Sequence, residues 1–315
     1  MKRTRTFLVA TFLTAAIPGV AQTDPETLAR LLEVGRNLVN QQLDSRGIAL
    51  EIPGDLAQTR HWMKTLQDRF AGEYVLDLSR LRPAAEAALP WLESSEDTKP
   101  YALWLRTRLD YFRAADELQR LTPAPEPQKP NTKPTPAPRS NPTPEQQRRV
   151  WSKVMALEPW PEDAGKYVTQ LKPVFVAERV PSELVWIAEV ESSFQPGARS
   201  PAGAAGLFQL MPGTAKQEGL RLWPLDQRYD PEKSAHASAK YLRALHSEFQ
   251  DWSLALAAYN AGDGQVRTLM KRHGVHSYDR LAPHLPAETQ LYVPKIEAVV
   301  RRREGKALAE LKSIP

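Results

Sequence analysis

A chain of 315 residues, 42% hydrophobic and 25% charged, has the composition of a soluble globular protein and room for one large domain or two ordinary ones. Its net charge of +5 suits an anionic surface, but no basic cluster alternates with aromatics, so nucleic acid is not an expected partner. The absence of cysteine excludes disulfides, thiolate catalysis, Cys-ligated metals and a lipid anchor carried on an N-terminal cysteine.

The first 21 residues, "MKRTRTFLVATFLTAAIPGVA", start basic, turn apolar from Phe7 and break at Pro18-Gly19. Gly19 and Ala21 are small residues where a signal peptidase needs them, so 1–21 is expected to be a signal peptide and the protein to be exported to the periplasm. The apolar stretch falls short of the about 20 residues a membrane span requires.

Residues 22–121 are expected to form the smaller of two helical domains. "DPETLARLLEVGRNLVNQQL" puts Leu28, Leu31, Leu32, Leu38 and Val39 at helical spacing after an Asp24-Pro25 start. Weaker helical patterns run through "HWMKTLQDRF" and "YALWLRTRLDYFRAADELQRL", with Trp62, Trp91 and Trp104 as core residues. Residues 122–146, "TPAPEPQKPNTKPTPAPRSNPTPEQ", hold nine of the 28 prolines and almost no aliphatic side chain. Such a stretch buries too little apolar surface to offset its ordering entropy, so it is expected to be a linker. At about 3.1 Å per residue it could reach roughly 70–80 Å.

From 147 to 315 the periodicity is helical almost throughout, and the expected fold class is all-α. "PSELVWIAEVESSF" starts a helix at Pro181-Ser182, with Glu183 in its first turn, where a negative charge suits the helix dipole. Leu184, Ile187, Ala188 and Glu191 then share one face. A carboxyl on an apolar stripe is partly desolvated, which raises its pKa and suits a general acid. The same pattern also fits a Glu capped by a buried Arg. The loop that follows holds no second carboxylate before Glu218; Gly197, Gly203 and Gly206 permit close approach of backbone to a ligand, and Ser200 and Gln209 offer uncharged hydrogen bonds. His273 and His276 end in a turn without metal-ligand spacing, and neither metal nor cofactor is expected.

"ESSF-P-A-S-GA-GLFQLMP-T", "LALAAYNAG" at 254–262 and "LPAETQLYVPKI" at 285–296 together resemble the ordered motifs of the lytic transglycosylases of the soluble-lysozyme-like superfamily, which includes goose-type lysozyme. The connecting "DQRYDPEKSAHASAKYLRAL" resembles the membrane-bound lytic transglycosylase D branch. The resemblance, over about 160–300, implies a lysozyme-like helical catalytic domain at 147–315. It implies cleavage of the β-1,4 bond between N-acetylmuramic acid and N-acetylglucosamine in peptidoglycan glycan strands. By the same resemblance Glu191 is the single acid and base, Ser200, Gln209 and Met211 line the sugar subsites, and Tyr259, Asn260 and Tyr292 complete the cleft. A lone acid implies a 1,6-anhydromuramoyl product, formed when the muramoyl 6-hydroxyl attacks the anomeric carbon. Asp226, Asp230 and Asp263 are the candidates for a second carboxyl. The alternatives are a hydrolytic muramidase and a non-catalytic wall-binding scaffold. Members of the D branch are typically lipid-anchored and carry C-terminal glycan-binding repeats. With no cysteine to lipidate, this chain is expected to use residues 22–121 for localisation, on the wall or on an envelope protein complex.

Overall fold

The computed structural model describes residues 51–122 and 140–312, with eight scattered helical positions from Arg30 to Asp44. The expected signal peptide and most of the proline-rich stretch lie outside these residues. Among the described residues there is no strand, only isolated bridges pairing Ala205 with Arg199 and Leu210. The all-α expectation is met.

Before the proline-rich stretch come α1 (Leu56–Phe70), α2 (Arg82–Glu93), α3 (Lys99–Arg106) and α4 (Leu109–Leu121). α1 starts where the Asp55 carboxylate accepts the Gln58 N–H at 2.7 Å, satisfying one of the donors a helix start leaves open. The sequence pattern over 101–121 runs on as one helix, but the structure breaks it at Thr107-Arg108. There the Thr107 hydroxyl donates to the Trp104 carbonyl at 2.8 Å, and α4 leaves in a new direction. That corner matters for the site.

The second run is α5 (Pro144–Leu157), α6 (Ala164–Ala177), α7 (Ile187–Ser192), α8 (Pro212–Gln217), α9 (Pro231–Phe249), α10 (Trp252–Ala261), α11 (Asp263–His273), α12 (Tyr278–Leu281) and α13 (Ala287–Glu304). α5 begins inside the span expected to be linker. Thr143 accepts from the Gln146 N–H, the Gln146 side chain accepts from the Thr143 N–H, and Pro144 fills the first helical turn, where its missing N–H costs nothing. Asp230 and Asp251 cap α9 and α10 by accepting the Lys233 and Leu254 N–H groups.

α13 is the central helix, with buried residues on every face. Pro294 lies inside it. A proline there removes one N–H and frees the carbonyl four residues back, here that of Gln290, and the buried Tyr278 hydroxyl donates to that carbonyl at 3.1 Å. The helix therefore continues.

The helices on either side of the proline-rich stretch share one hydrophobic core, in which α4 packs on α5. Phe70, Trp104, Tyr111 and Trp151 interlock edge to face. Polar contacts reinforce the joint: the Ala287 N–H and the Gln290 amide donate to the Gly72 and Glu73 carbonyls at 2.6 and 2.9 Å.

Candidate active site

Glu191 lies in the last turn of α7 and is 6% exposed. The expected amphipathic stripe is not what buries it. Ser182–Trp186 is a 3₁₀ turn, α7 follows, and the whole stretch from Leu184 to Ser192 is buried. The carboxyl is desolvated because the segment that carries it is buried along its whole length. Immediately after it the chain reverses through two residues in left-handed conformation, Ser193 at φ 52° and Phe194 at φ 58°. Their N–H groups close onto the Glu189 and Ala188 carbonyls, and the Phe194 ring is fully buried. Glu191 thus sits between a buried helix and a hydrogen-bonded reversal.

The Tyr292 hydroxyl donates to Glu191 Oε1 at 2.6 Å. Tyr292 is itself buried, and this hydrogen bond places its hydroxyl directly on the acid. On the other oxygen, Arg108 Nη2 stands 4.0 Å from Oε2, at the outer edge of ion-pair contact. The same nitrogen is closer to Glu288, at 3.2 Å from Oε1, and Nη1 donates to the Glu191 carbonyl at 3.3 Å. Burial is the largest influence and pushes the Glu191 carboxyl up to about 7, with Glu288 adding in the same direction. Arg108, the Tyr292 hydrogen bond and Lys295 pull the other way without reversing it. A carboxyl poised near neutrality can give up a proton and take one back. The buried Arg is present, as one reading of the sequence allowed, yet Glu288 draws off much of its charge.

The loop after Phe194 is held by its own hydrogen bonds. Ser192 Oγ bonds to the Leu207 carbonyl at 2.8 Å, and the Gly206 N–H to the Ala198 carbonyl at 2.9 Å. Gln209 spends its amide N–H groups on the Ala198 and Gly206 carbonyls, leaving Oε1 as the atom available to a ligand. Ser200 is buried, and its hydroxyl accepts the Ala204 N–H at 3.0 Å. Both residues shape the loop first. Met211 is 44% exposed at the start of α8. Of the three glycines expected to let backbone approach a ligand, Gly206 (φ 80°) instead packs on the chain itself: a Cβ there would sit 1.9 Å from the Arg228 carbonyl oxygen. Arg228 in turn donates to the Gly203 and Leu210 carbonyls at 2.7 and 2.9 Å, tying its segment to the loop.

α10 delivers Tyr259 and Asn260, both half-buried. The Tyr259 hydroxyl donates to the Phe208 carbonyl at 2.8 Å, and its phenol is pushed well up by burial and by the charge of Glu191. Asn260 Oδ1 accepts from Thr289 at 2.6 Å, so its NH2 is the group left for a substrate. Each of the proposed second carboxyls has another occupation. Asp226 is clamped by Arg228 at 2.7 Å, Asp230 caps α9 and pairs with Lys233, and Asp263 pairs with Arg267 at 2.7 Å. The carboxyl that does share a partner with Glu191 is Glu288, which sequence reasoning passed over. Its signal was present: Glu288, Tyr292 and Lys295 stand at i, i+4 and i+7, which puts a carboxyl, a hydroxyl and an ammonium on one face of the helix. Arg108 carried no such signal.

Residues 177–281 match the family model described as Transglycosylase SLT domain. The membrane-bound lytic murein transglycosylase D of Escherichia coli (strain K12) is 40% identical over 124 residues, 38% of this chain and 27% of that protein. The soluble lytic murein transglycosylase of the same strain is 38% identical over 89 residues, 26% of this chain and 14% of its own length. The chain thus covers about a quarter or less of these curated relatives. Among solved structures, the 70 kDa soluble lytic transglycosylase of Escherichia coli aligns with 90% of this chain and 46% of its own, at 18% identity and a TM-score of 0.41.

Proposed function

From residues 177–281, which belong to the transglycosylase SLT domain family, we propose that the protein is a peptidoglycan lytic transglycosylase. It cleaves the β-1,4 bond between N-acetylmuramic acid and N-acetylglucosamine and releases a 1,6-anhydromuramoyl end. The observation that carries this is Glu191: a buried carboxyl, poised near neutral pH and held by Tyr292 at the end of a buried helix. In the first step the protonated Glu191 donates to the glycosidic oxygen as the C1–O bond breaks. The enclosed site and the substrate's own acetamido group stabilise the cationic sugar. In the second, the Glu191 carboxylate removes the proton of the muramoyl 6-hydroxyl while that oxygen bonds to C1, which regenerates the acid and consumes no water. Asn260, Gln209 Oε1 and Met211 are the groups proposed to orient the sugar, and Tyr259 and Ser200 hold the surrounding loop. Orientation of this kind contributes as much as the acid does. The substrate lies outside the cytoplasm, so export through residues 1–21 to the periplasm belongs to the same reading.

Glu191→Gln removes the proton and keeps the shape. Turnover of purified sacculi is expected to fall by at least about 100-fold. Activity within a few-fold of the parent would refute the assignment. A second reading, a hydrolytic muramidase, is favoured by one observation: Glu288 is a second carboxylate sharing Arg108 with Glu191. Glycosidases with paired carboxyls use one to activate water or to attack the sugar. Mass spectrometry of the released muropeptides separates the two readings, because the anhydro product is lighter by one water.

A further inference from the structure

The family match begins at residue 177, yet the guanidinium facing Glu191 comes from residue 108. The α3–α4 corner inserts Arg108 into the core, where it is 6% exposed and lies over the Trp104 ring at 5.1 Å. Its Nη1 is shared between the Thr107 hydroxyl at 2.7 Å and the Glu191 carbonyl at 3.3 Å; its Nη2 meets Glu288 at 3.2 Å and Glu191 Oε2 at 4.0 Å. A second cation locks the corner. Lys295, also buried, donates to the Thr107 carbonyl at 3.2 Å and pairs with Asp110 at 2.8 Å. The same face of α13 therefore presents Glu288, Tyr292 and Lys295 to this corner and to the acid together.

We propose that Arg108 is a positioning residue of the active site, and that the helices before the proline-rich stretch complete the catalytic domain by supplying it. Through the Glu191 carbonyl it holds the end of α7. Through Nη2 it presents a positive charge that strengthens its hold on Glu191 once that carboxyl has given its proton away, while Glu288 keeps the charge from ionising the acid beforehand. The inference rests on Glu191 being the acid. The charged and titratable groups facing Glu191 are Arg108 from the corner, Tyr111 from α4, Glu288, Tyr292 and Lys295 from α13, and Tyr259 from α10.

The test uses full-length Arg108→Met, Glu288→Gln and the double variant, with two measurements. One is the alkaline limb of kcat against pH on purified sacculi. The other is titration of the Glu191 carboxyl by ¹³C NMR of glutamate-labelled protein, assigned by the resonance lost in Glu191→Gln. Losing the opposite charge should move both midpoints up by about one pH unit in Arg108→Met, and losing the like charge should move both down in Glu288→Gln. The double variant should fall between Arg108→Met and the parent, because Arg108 acts on Glu191 more strongly than Glu288 does. Should Arg108→Met not fold, Glu288→Gln and the charge-balanced double variant carry the test. A merely structural Arg108 would lower stability and leave the midpoints in place. Midpoints unmoved in these two variants, or shifts of one sign in both single variants, overturn the proposal. The NMR titration needs no turnover, so its outcome is separate from that of the activity assignment.

Discussion

In Glu191→Gln the buried carboxyl gives way to an amide of the same shape that cannot ionise, and this bears on stability as well as on turnover. The folded carboxyl titrates at about 7, against an ordinary value of 4.5. The folded state therefore keeps a proton that the unfolded chain releases between those two values. Native stability is complete below about 4.5 and declines as pH rises toward 7. The difference of 2.5 between those values, at about 1.4 kcal/mol per unit, makes the buried charge cost the parent about 3 kcal/mol at pH 8 and less than about 1 kcal/mol at pH 5. The Gln amide still accepts from Tyr292, but its NH2 faces Arg108 and gives back part of the gain. A net advantage of about 2 kcal/mol at pH 8 is expected, or ~5 °C in Tm, shrinking to about zero at pH 5. Differential scanning calorimetry of both proteins at the two pH values measures this directly. A Tm difference that is the same at both, or larger at pH 5, would show that Glu191 is not a carboxyl kept protonated by burial.

Other perturbations reach the same chemistry or its scaffold. Tyr292→Phe deletes a donor that favours the ionised acid, so the alkaline limb of kcat should move up by about half a unit or more and kcat should fall on the order of tenfold; a limb moving down contradicts the hydrogen bond. Gly206→Ala forces a Cβ into the Arg228 carbonyl in a backbone conformation that L-residues resist, and should destabilise by at least about 3 kcal/mol in urea unfolding, with loss of activity. Arg303→Met strands Glu189, which now pairs with Arg303 at 2.8 Å in a site where the Arg side chain is 1% exposed. Removing one partner of such a pair costs about 3–5 kcal/mol, so the urea midpoint should drop sharply while residual activity at low temperature persists.

Much of the fold was legible because helices announce themselves locally. The apolar spacing acts over three or four residues, and the sequence displays it directly; the Thr143–Gln146 box is just as local, yet the proline-rich composition around it hid the start of α5. Glu191 was legible for a related reason, as a carboxyl in an apolar run. The error over what buries it arose because periodicity assumes one exposed face, and this segment has none. The pattern over 101–121 also hid a break: the Thr107 hydroxyl that turns the corner competes with an otherwise sound helical period.

What the chain decided alone is therefore which segments are helical and which carboxyl is out of place. Tertiary structure alone decided who meets that carboxyl. Arg108 and Glu288 come from helices far from Glu191 in sequence, and nothing in their local patterns points toward each other. Their effect on the acid falls off with distance and depends on how much water lies between, so it exists only once α4 and α13 have packed around α7 and driven the water out.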